Sequence, residues 1–365
     1  MTIHKLLPEK TEGASPMSVQ LSLIQEIYDV SDAIVRTRAI QAFDHAAKAY
    51  PIHRVVRCAV RRKVGPVFDD LALQMECAVQ RMDVGSLLLD GPGVFIGGEG
   101  YSKGEYVSCT FRVWTDSLAR LEEVRARLFR VIGDKRLRDQ MFVVDWNFCN
   151  SRGTLISTSF DEIADDVLLE EAYPSLGKSV GEFVEGYLNA RETVLILQGP
   201  PGTGKTRLVR AILAAMSRRK GESAKVMYTA DKRALENDEI FVDFITGSHD
   251  AFVIEDADHL LKARTSGNFE LHRFLGIADG VVRAQSRKVI FTTNLPNIND
   301  IDDALLRPGR CHAVKNLRSL DPAEALRLAE RICAADAEAA ARACARLSAT
   351  AARSYSVAQV YRACA

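Results

Sequence analysis

Most of what this chain can fold into is set by ten residues, Leu197-Gln198-Gly199-Pro200-Pro201-Gly202-Thr203-Gly204-Lys205-Thr206. They satisfy the pattern G-x-x-x-x-G-K-[ST] at every fixed position, directly after the apolar run Val194-Leu195-Ile196-Leu197. Leu208, Val209, Ile212, Leu213 and Met216 follow at helical spacing, so strand, glycine loop and helix stand in the order the pattern needs. Gly199, Gly202 and Gly204 let backbone N–H groups turn inward on phosphate oxygens, and the helix N-terminus adds partial positive charge. Pro200, Pro201 and Thr203 complete the loop, Lys205 reaches the β- and γ-phosphates, and the Thr206 hydroxyl holds Mg²⁺. The expected ligand is a nucleoside triphosphate with Mg²⁺.

The chain has 365 residues, enough for two or three domains, with 47% hydrophobic and 26% charged residues. Formal net charge is zero, so no global field draws it to nucleic acid or to an anionic membrane. The N-terminus has no apolar signal-peptide core and no run of 18 apolar residues occurs, from which a cytoplasmic protein without a membrane segment is expected. The eight cysteines show no C-x-x-C pair, which argues against a zinc site.

Residues 1–16 read as a loose lead-in, followed by helical periodicity over 17–28 and 33–50. A strand from His53 to Val64 crowds Arg54, Arg57, Arg61, Arg62 and Lys63, read as a solvated strand face in preference to a nucleic-acid patch. A helix over 68–82, hairpin material over 87–104, a strand over 106–114, a charged helix over 117–137 and strands over 141–148 and 154–159 follow. Without a βαβ rhythm these predict an α+β N-terminal domain, residues 1–165. Asp145, Asp161 and Glu162 stand there as acids with no partner assignable by spacing. Tyr173 and Tyr187, upstream of the glycine loop, are assigned to packing ahead of contact with a nucleotide base.

Five short apolar runs, 193–197, 225–229, 251–254, 288–293 and 312–315, can form one parallel sheet with helices between most of them. The fold class expected is therefore α/β, a P-loop NTPase with a doubly wound parallel sheet (core 166–317). An alanine-rich helical lid over 318–365 follows it. Ligands bind beyond the carboxyl ends of such strands. The third run ends Ile254-Glu255-Asp256-Ala257-Asp258, and acids at the end of a buried strand are costly unless they serve a cation. One is expected on Mg²⁺ and one on the attacking water. Asn294 ends the fourth run, and Arg307 and Arg310, three residues apart behind it, suit fingers that reach a neighbouring subunit's γ-phosphate.

Residues 179–317 resemble the AAA family of ring-forming ATPases. The resemblance implies that Gly199–Thr206 is its Walker A element and Glu255-Asp256 its Walker B pair. It makes Asn294 the sensor and Arg307 and Arg310 the arginine fingers. The likeness is greatest to the subgroup of mitochondrial AAA chaperones that move the folded Rieske iron–sulfur protein. It rests on the inverted Glu-Asp order, Phe274-Leu275-Gly276-Ile277-Ala278-Asp279-Gly280-Val281, Thr292-Thr293-Asn294-Leu295 and Ser356-Val357-Ala358-Gln359-Val360. The family pattern more often has Asp before Glu, so slow but real hydrolysis is expected, with Glu255 on the metal side and Asp256 on the water. The segment Thr229–Asp238 has no aromatic residue of the kind that grips a threaded polypeptide, which favours handling of folded substrates.

The function these features imply is a hexameric ATPase that remodels a protein or complex held by its N-terminal domain. A low-turnover nucleotide-dependent switch or scaffold is the alternative. A nucleic-acid motor is disfavoured by zero net charge and by the Arg307-Pro308-Gly309-Arg310 element.

Overall fold

The computed structural model describes residue 37 and residues 51–365, apart from 76–77, 82–85, 104–105, 134–136, 138–139, 165–166, 263–270, 272, 275–286, 308 and 351. The lead-in, the helices expected over 17–28 and 33–50, and all but Phe274 of the 274–281 motif lie outside the described residues. The chain divides into two compact units, Met1–Arg138 and Asp139–Ala365.

The first unit carries an antiparallel sheet in the order β1-β5-β4-β3-β2, made from Ile52–Val60 (β1), Ala78–Arg81 (β2), Ser86–Gly91 (β3), Val94–Lys103 (β4) and Tyr106–Thr115 (β5). Period-two alternation buries Val56, Cys58 and Val60 of β1 with Cys109, Phe111 and Val113 of β5. Against them pack helices Val64–Met75 (α1) and Leu118–Ile132 (α2), through Val67, Phe68, Leu71, Val124 and Leu128. Helix α2 starts where the Ser117 hydroxyl accepts from the Arg120 N–H, and stops at Gly133, whose φ of 70° ends the turn. Arg54 and Arg57 lie exposed on β1, and Arg62 pairs with Asp70 at 2.6 Å.

The second unit is a seven-stranded sheet in the order β12-β8-β11-β10-β9-β6-β7. Its strands are Met141–Cys149 (β6), Leu155–Ile163 (β7), Val194–Gln198 (β8), Ala224–Thr229 (β9), Ala251–Ile254 (β10), Lys288–Thr293 (β11) and Cys311–Asn316 (β12). Strands β8, β10 and β11 are buried at every residue, as central parallel strands covered on both faces must be. Helices Val180–Asn189 (α3) and Lys205–Lys220 (α4) are followed by Lys232–Glu236 (α5), Asp238–Thr246 (α6), Asp258–Leu261 (α7) and Asp303–Leu306 (α8). The fold class is thus the α/β P-loop arrangement expected, with an antiparallel α+β region before it.

The division differs from the boundary expected at residue 165. Strand β6 pairs in parallel with β9, from Phe142↔Ala224 to Trp146↔Tyr228, and β7 returns antiparallel beside it. The apolar run Met141–Val144 is buried throughout, so β6 behaves as an interior strand of the larger sheet. Local pattern shows that such a strand exists, but its partner is more than 75 residues on and invisible to periodicity.

The last helices, Pro322–Ile332 (α9), Ala337–Thr350 (α10) and Val357–Cys364 (α11), share one hydrophobic cluster with α4 through Leu328, Leu347, Val357 and Val360. Capping boxes at Asp321/Glu324 and Ser356/Gln359 start α9 and α11, which fixes the chain's direction over the glycine loop.

Candidate nucleotide-binding site

The glycine loop turns between β8 and α4. The Gly199 N–H donates to the Thr293 carbonyl (3.1 Å), and φ of 150° at Gly199 carries the chain beside Leu317. A Cβ at Gly199 would stand 2.2 Å from the Leu317 carbonyl oxygen, so only glycine fits. At Gly204, φ is 91° and a Cβ would meet the Tyr173 hydroxyl at 2.8 Å; that hydroxyl donates to the Gly204 carbonyl (3.1 Å). Thr203 donates to the Pro200 carbonyl (2.9 Å), closing the loop on itself.

Lys205 opens α4 and is buried, with its ammonium donating to the carbonyls of Gly199 (2.6 Å) and Pro200 (3.1 Å) and to Asn294 Oδ1 (2.9 Å). Burial lowers its pKa, although Asp256, Asp258 and Glu255 pull it upward. Asn294 in turn donates from Nδ2 to Asp256 Oδ1 (2.9 Å). Asp256 has a left-handed backbone with φ of 50°, a conformation that Asp tolerates better than most residues, and its N–H donates to Thr292 Oγ1 (3.2 Å). The other acid faces α4: Glu255 Oε1 accepts from the Thr206 hydroxyl (2.6 Å) and Oε2 from the Tyr228 hydroxyl (2.9 Å). Thr206 and Lys205 at the start of α4 therefore converge with Glu255, Asp256 and Asn294 beyond the strand ends.

Asp258, quoted in the motif but given no task from sequence, holds Asn294 in place. Its Oδ1 accepts from Thr293 Oγ1 (2.5 Å) and from the Asn294 N–H (2.8 Å). Tyr228 was also missed; its only signal is that it lies near the carboxyl end of the strand beside the acids.

Lys205, Thr206, Glu255, Asp256 and Asn294 line a cavity of about 550 Å³ whose far wall is Val357, Ala358 and Tyr361 of α11. The Ala358 N–H donates to the Gly202 carbonyl (3.0 Å), and the Arg207 guanidinium lies 4.3 Å from the Tyr361 ring centroid. Helix α11 is thereby in direct contact with the loop. Arg307 and Arg310 do not line this cavity. Arg307 is exposed at the end of α8, and Arg310 donates to the Ala304 carbonyl of its own chain (2.6 Å). Tyr187 is wholly buried, donating to the carbonyls of Thr193 (2.8 Å) and Val289 (3.2 Å), and is a packing residue.

Asp145, without an assignable partner in the sequence, proves to be a buried carboxylate with three partners. It accepts from the Ser159 hydroxyl, meets His249 Nε2 at 2.7 Å and pairs with the Lys225 ammonium at 3.2 Å. Burial pushes its carboxyl up, but those hydrogen bonds and the lysine charge outweigh it and hold the pKa down at about 2. The cluster ties β6 and β7 to β9 and to the turn before β10.

Residues 195–319 match the family model described as ATPase family associated with various cellular activities (AAA). The chain is 34% identical over 125 residues to ATPase family gene 2 protein of Schizosaccharomyces pombe, covering 32% of this chain and 15% of that one. It is 30% identical over 162 residues to the 26S proteasome regulatory subunit 8 homolog of Naegleria fowleri, covering 41% and 37%. With the vesicle-fusing ATPase of Dictyostelium discoideum it shares 28% identity over 194 residues, covering 47% and 25%. The chain thus spans less than half the length of each of these relatives. These likenesses are to AAA ATPases generally and do not single out the Rieske-moving subgroup. Among the described residues no helix is long and apolar enough to cross a membrane. The glycine loop, the strand-end acids and the match to the AAA ATPase family model coincide on one stretch of chain, residues 195–319.

Proposed function

We propose that this chain hydrolyses ATP, assembles as a hexameric ring and remodels a protein or protein complex held through its N-terminal unit. The observation that carries this reading is the pair of hydrogen-bond chains in one cavity, Lys205–Asn294–Asp256 and Thr206–Glu255. An ammonium bonded to the loop's own carbonyls is placed to exchange them for phosphate oxygens. The Thr206 hydroxyl and Glu255 carboxylate, 2.6 Å apart at a helix N-terminus, are hard oxygen donors that fit Mg²⁺. When bound, that ion neutralises charge on the β- and γ-phosphates.

Lys205 binds the triphosphate and stabilises the charge that develops on the γ-phosphoryl group. Asp256 orients the attacking water and accepts its proton. Asn294, fixed by Asp258, holds that carboxylate at the γ-phosphate end of the loop. Arg307 and Arg310 act in trans on the next subunit's nucleotide, with Arg310 leaving the Ala304 carbonyl on assembly. The relatives' names, a vesicle-fusing ATPase and a proteasome regulatory subunit, support protein remodelling. Absence of an aromatic residue in Thr229–Asp238 supports folded substrates over threading. Within the family our reading sets the chain nearest the Rieske-moving chaperones, on the Glu255-Asp256 order and the Ser356–Val360 segment, and in the cytosol.

Phosphate release by Glu255→Gln and Asp256→Asn tests the assignment. Asp256→Asn should bind ATP and lose turnover by about 100-fold or more. Glu255→Gln should lose Mg²⁺-dependent binding. Wild-type turnover in Asp256→Asn would defeat the scheme. One observation favours the slower, switch-like reading: both Glu255 oxygens are already engaged, by Thr206 and Tyr228. Steady-state phosphate release by the wild-type protein separates switch from motor.

A further inference from the structure

Glu255 carries one more methylene than an aspartate at the same strand end, so its carboxylate swings on an extra torsion. The structure shows what restrains it. Tyr228 lies opposite Val253 in the β9–β10 register, which puts its side chain on the same sheet face as Glu255. Its hydroxyl donates to Glu255 Oε2 at 2.9 Å, leaving Oε1 towards Thr206.

The ring is itself held from the other side. Trp146 stands directly opposite Tyr228 in the β6–β9 register, the two rings edge-to-face at 6.4 Å. A second cavity of about 270 Å³, lined by Trp146, Phe160, Val209 and Leu213, borders Tyr228, Glu255 and Thr206. The tyrosine is thus a strut between β6, which lies outside the family-matched residues, and the acid of the Mg²⁺ site.

We propose that Tyr228 is a positioning residue that aims Glu255 at Thr206 and Mg²⁺, with Trp146 as its seat. The inference rests on the ATPase reading above. It does not place Tyr228 on substrate; it acts through Glu255 alone. An aspartate at 255 would be too short to reach the phenol and would be indifferent to it.

The test uses the full chain in four forms: wild type, Tyr228→Phe, Glu255→Asp and the double variant. Binding of a fluorescent ATP analogue is titrated with Mg²⁺ and in EDTA, alongside phosphate release and thermal melting. Tyr228→Phe removes one oxygen beside a cavity, so melting and binding in EDTA should be unchanged. The Mg²⁺ concentration for half-saturation should rise about tenfold, the scale of a lost hydrogen bond to a charged group. The double variant should match Glu255→Asp alone. Trp146→Ala should shift Mg²⁺ half-saturation in the same direction by a smaller factor. Wild-type Mg²⁺ dependence in Tyr228→Phe, or independent losses that multiply in the double variant, would overturn this proposal and leave the ATPase reading standing. Absence of both Mg²⁺-ATP binding and phosphate release in the wild-type protein would overturn both.

Discussion

Replacing Asp145 by alanine should unfold the ATPase unit well before it disturbs the nucleotide site directly. The carboxylate is 6% exposed and serves three donors, His249, Ser159 and Lys225. Its pKa falls from 3.8 to about 2 on folding, and at ~1.4 kcal/mol per pKa unit that is about 2 kcal/mol of stability at pH 7. Removal also strands His249, which is 3% exposed and whose Nδ1 has no hydrogen-bond partner among the described residues. Breaking a buried pair typically costs about 3–5 kcal/mol, so a loss of about 2–4 kcal/mol is expected in total. For a unit of this size the melting temperature should drop by roughly 5–15 °C. The sign with pH follows from a depressed carboxylate: the stabilisation is full above the unfolded pKa near 3.8 and is lost as pH falls through about 2. Wild type and Asp145→Ala should therefore differ at pH 7 in urea and thermal unfolding and converge between pH 4 and 2. Asp145→Asn, which keeps the shape without the charge, should fall between them. A loss below about 1 kcal/mol at pH 7 would refute the reasoning, as would a gap that persists unchanged at pH 2.

Two further outcomes follow from the same geometry. Gly199→Ala drives a methyl to within 2.2 Å of the Leu317 carbonyl oxygen at a φ of 150°, so it should lower the melting temperature and abolish ATP binding measured by calorimetry. Arg310→Ala, mixed in increasing proportion with wild-type subunits, should reduce phosphate release more steeply than its mole fraction if Arg310 serves the neighbouring site; a strictly proportional loss would place the arginine in its own subunit's fold, at the Ala304 carbonyl.

The agreement between sequence and structure is uneven in an instructive way. The five runs read as one parallel sheet appear as β8 to β12, and three of them are buried at every residue, which is why unbroken apolar runs betrayed them. The lid helices begin at Pro322 and Val357 because Asp321 and Ser356 cap them, a signal carried within four residues. The α+β region was equally legible as elements, yet its last two strands join the seven-stranded sheet of the second unit. Pairing is a long-range choice, and β6 paired with β9 because its buried face continues that sheet.

The phosphate loop, the acids and Asn294 were available from residue order alone, because each sits in the turn just beyond a strand and needs only local geometry. What the chain order could not contain is who touches whom across strands. Tyr228 meets Glu255 over 27 residues and His249 meets Asp145 over 104, through sheet register that no local pattern encodes. Folding therefore gave an unpartnered aspartate its partners on neighbouring strands and brought a strand tyrosine to the Glu255 carboxylate. The glycine loop of residues 199–206 was written in the sequence; the wall that α11 forms beside it, and the contact between Tyr228 and Glu255, exist only once the sheet is assembled.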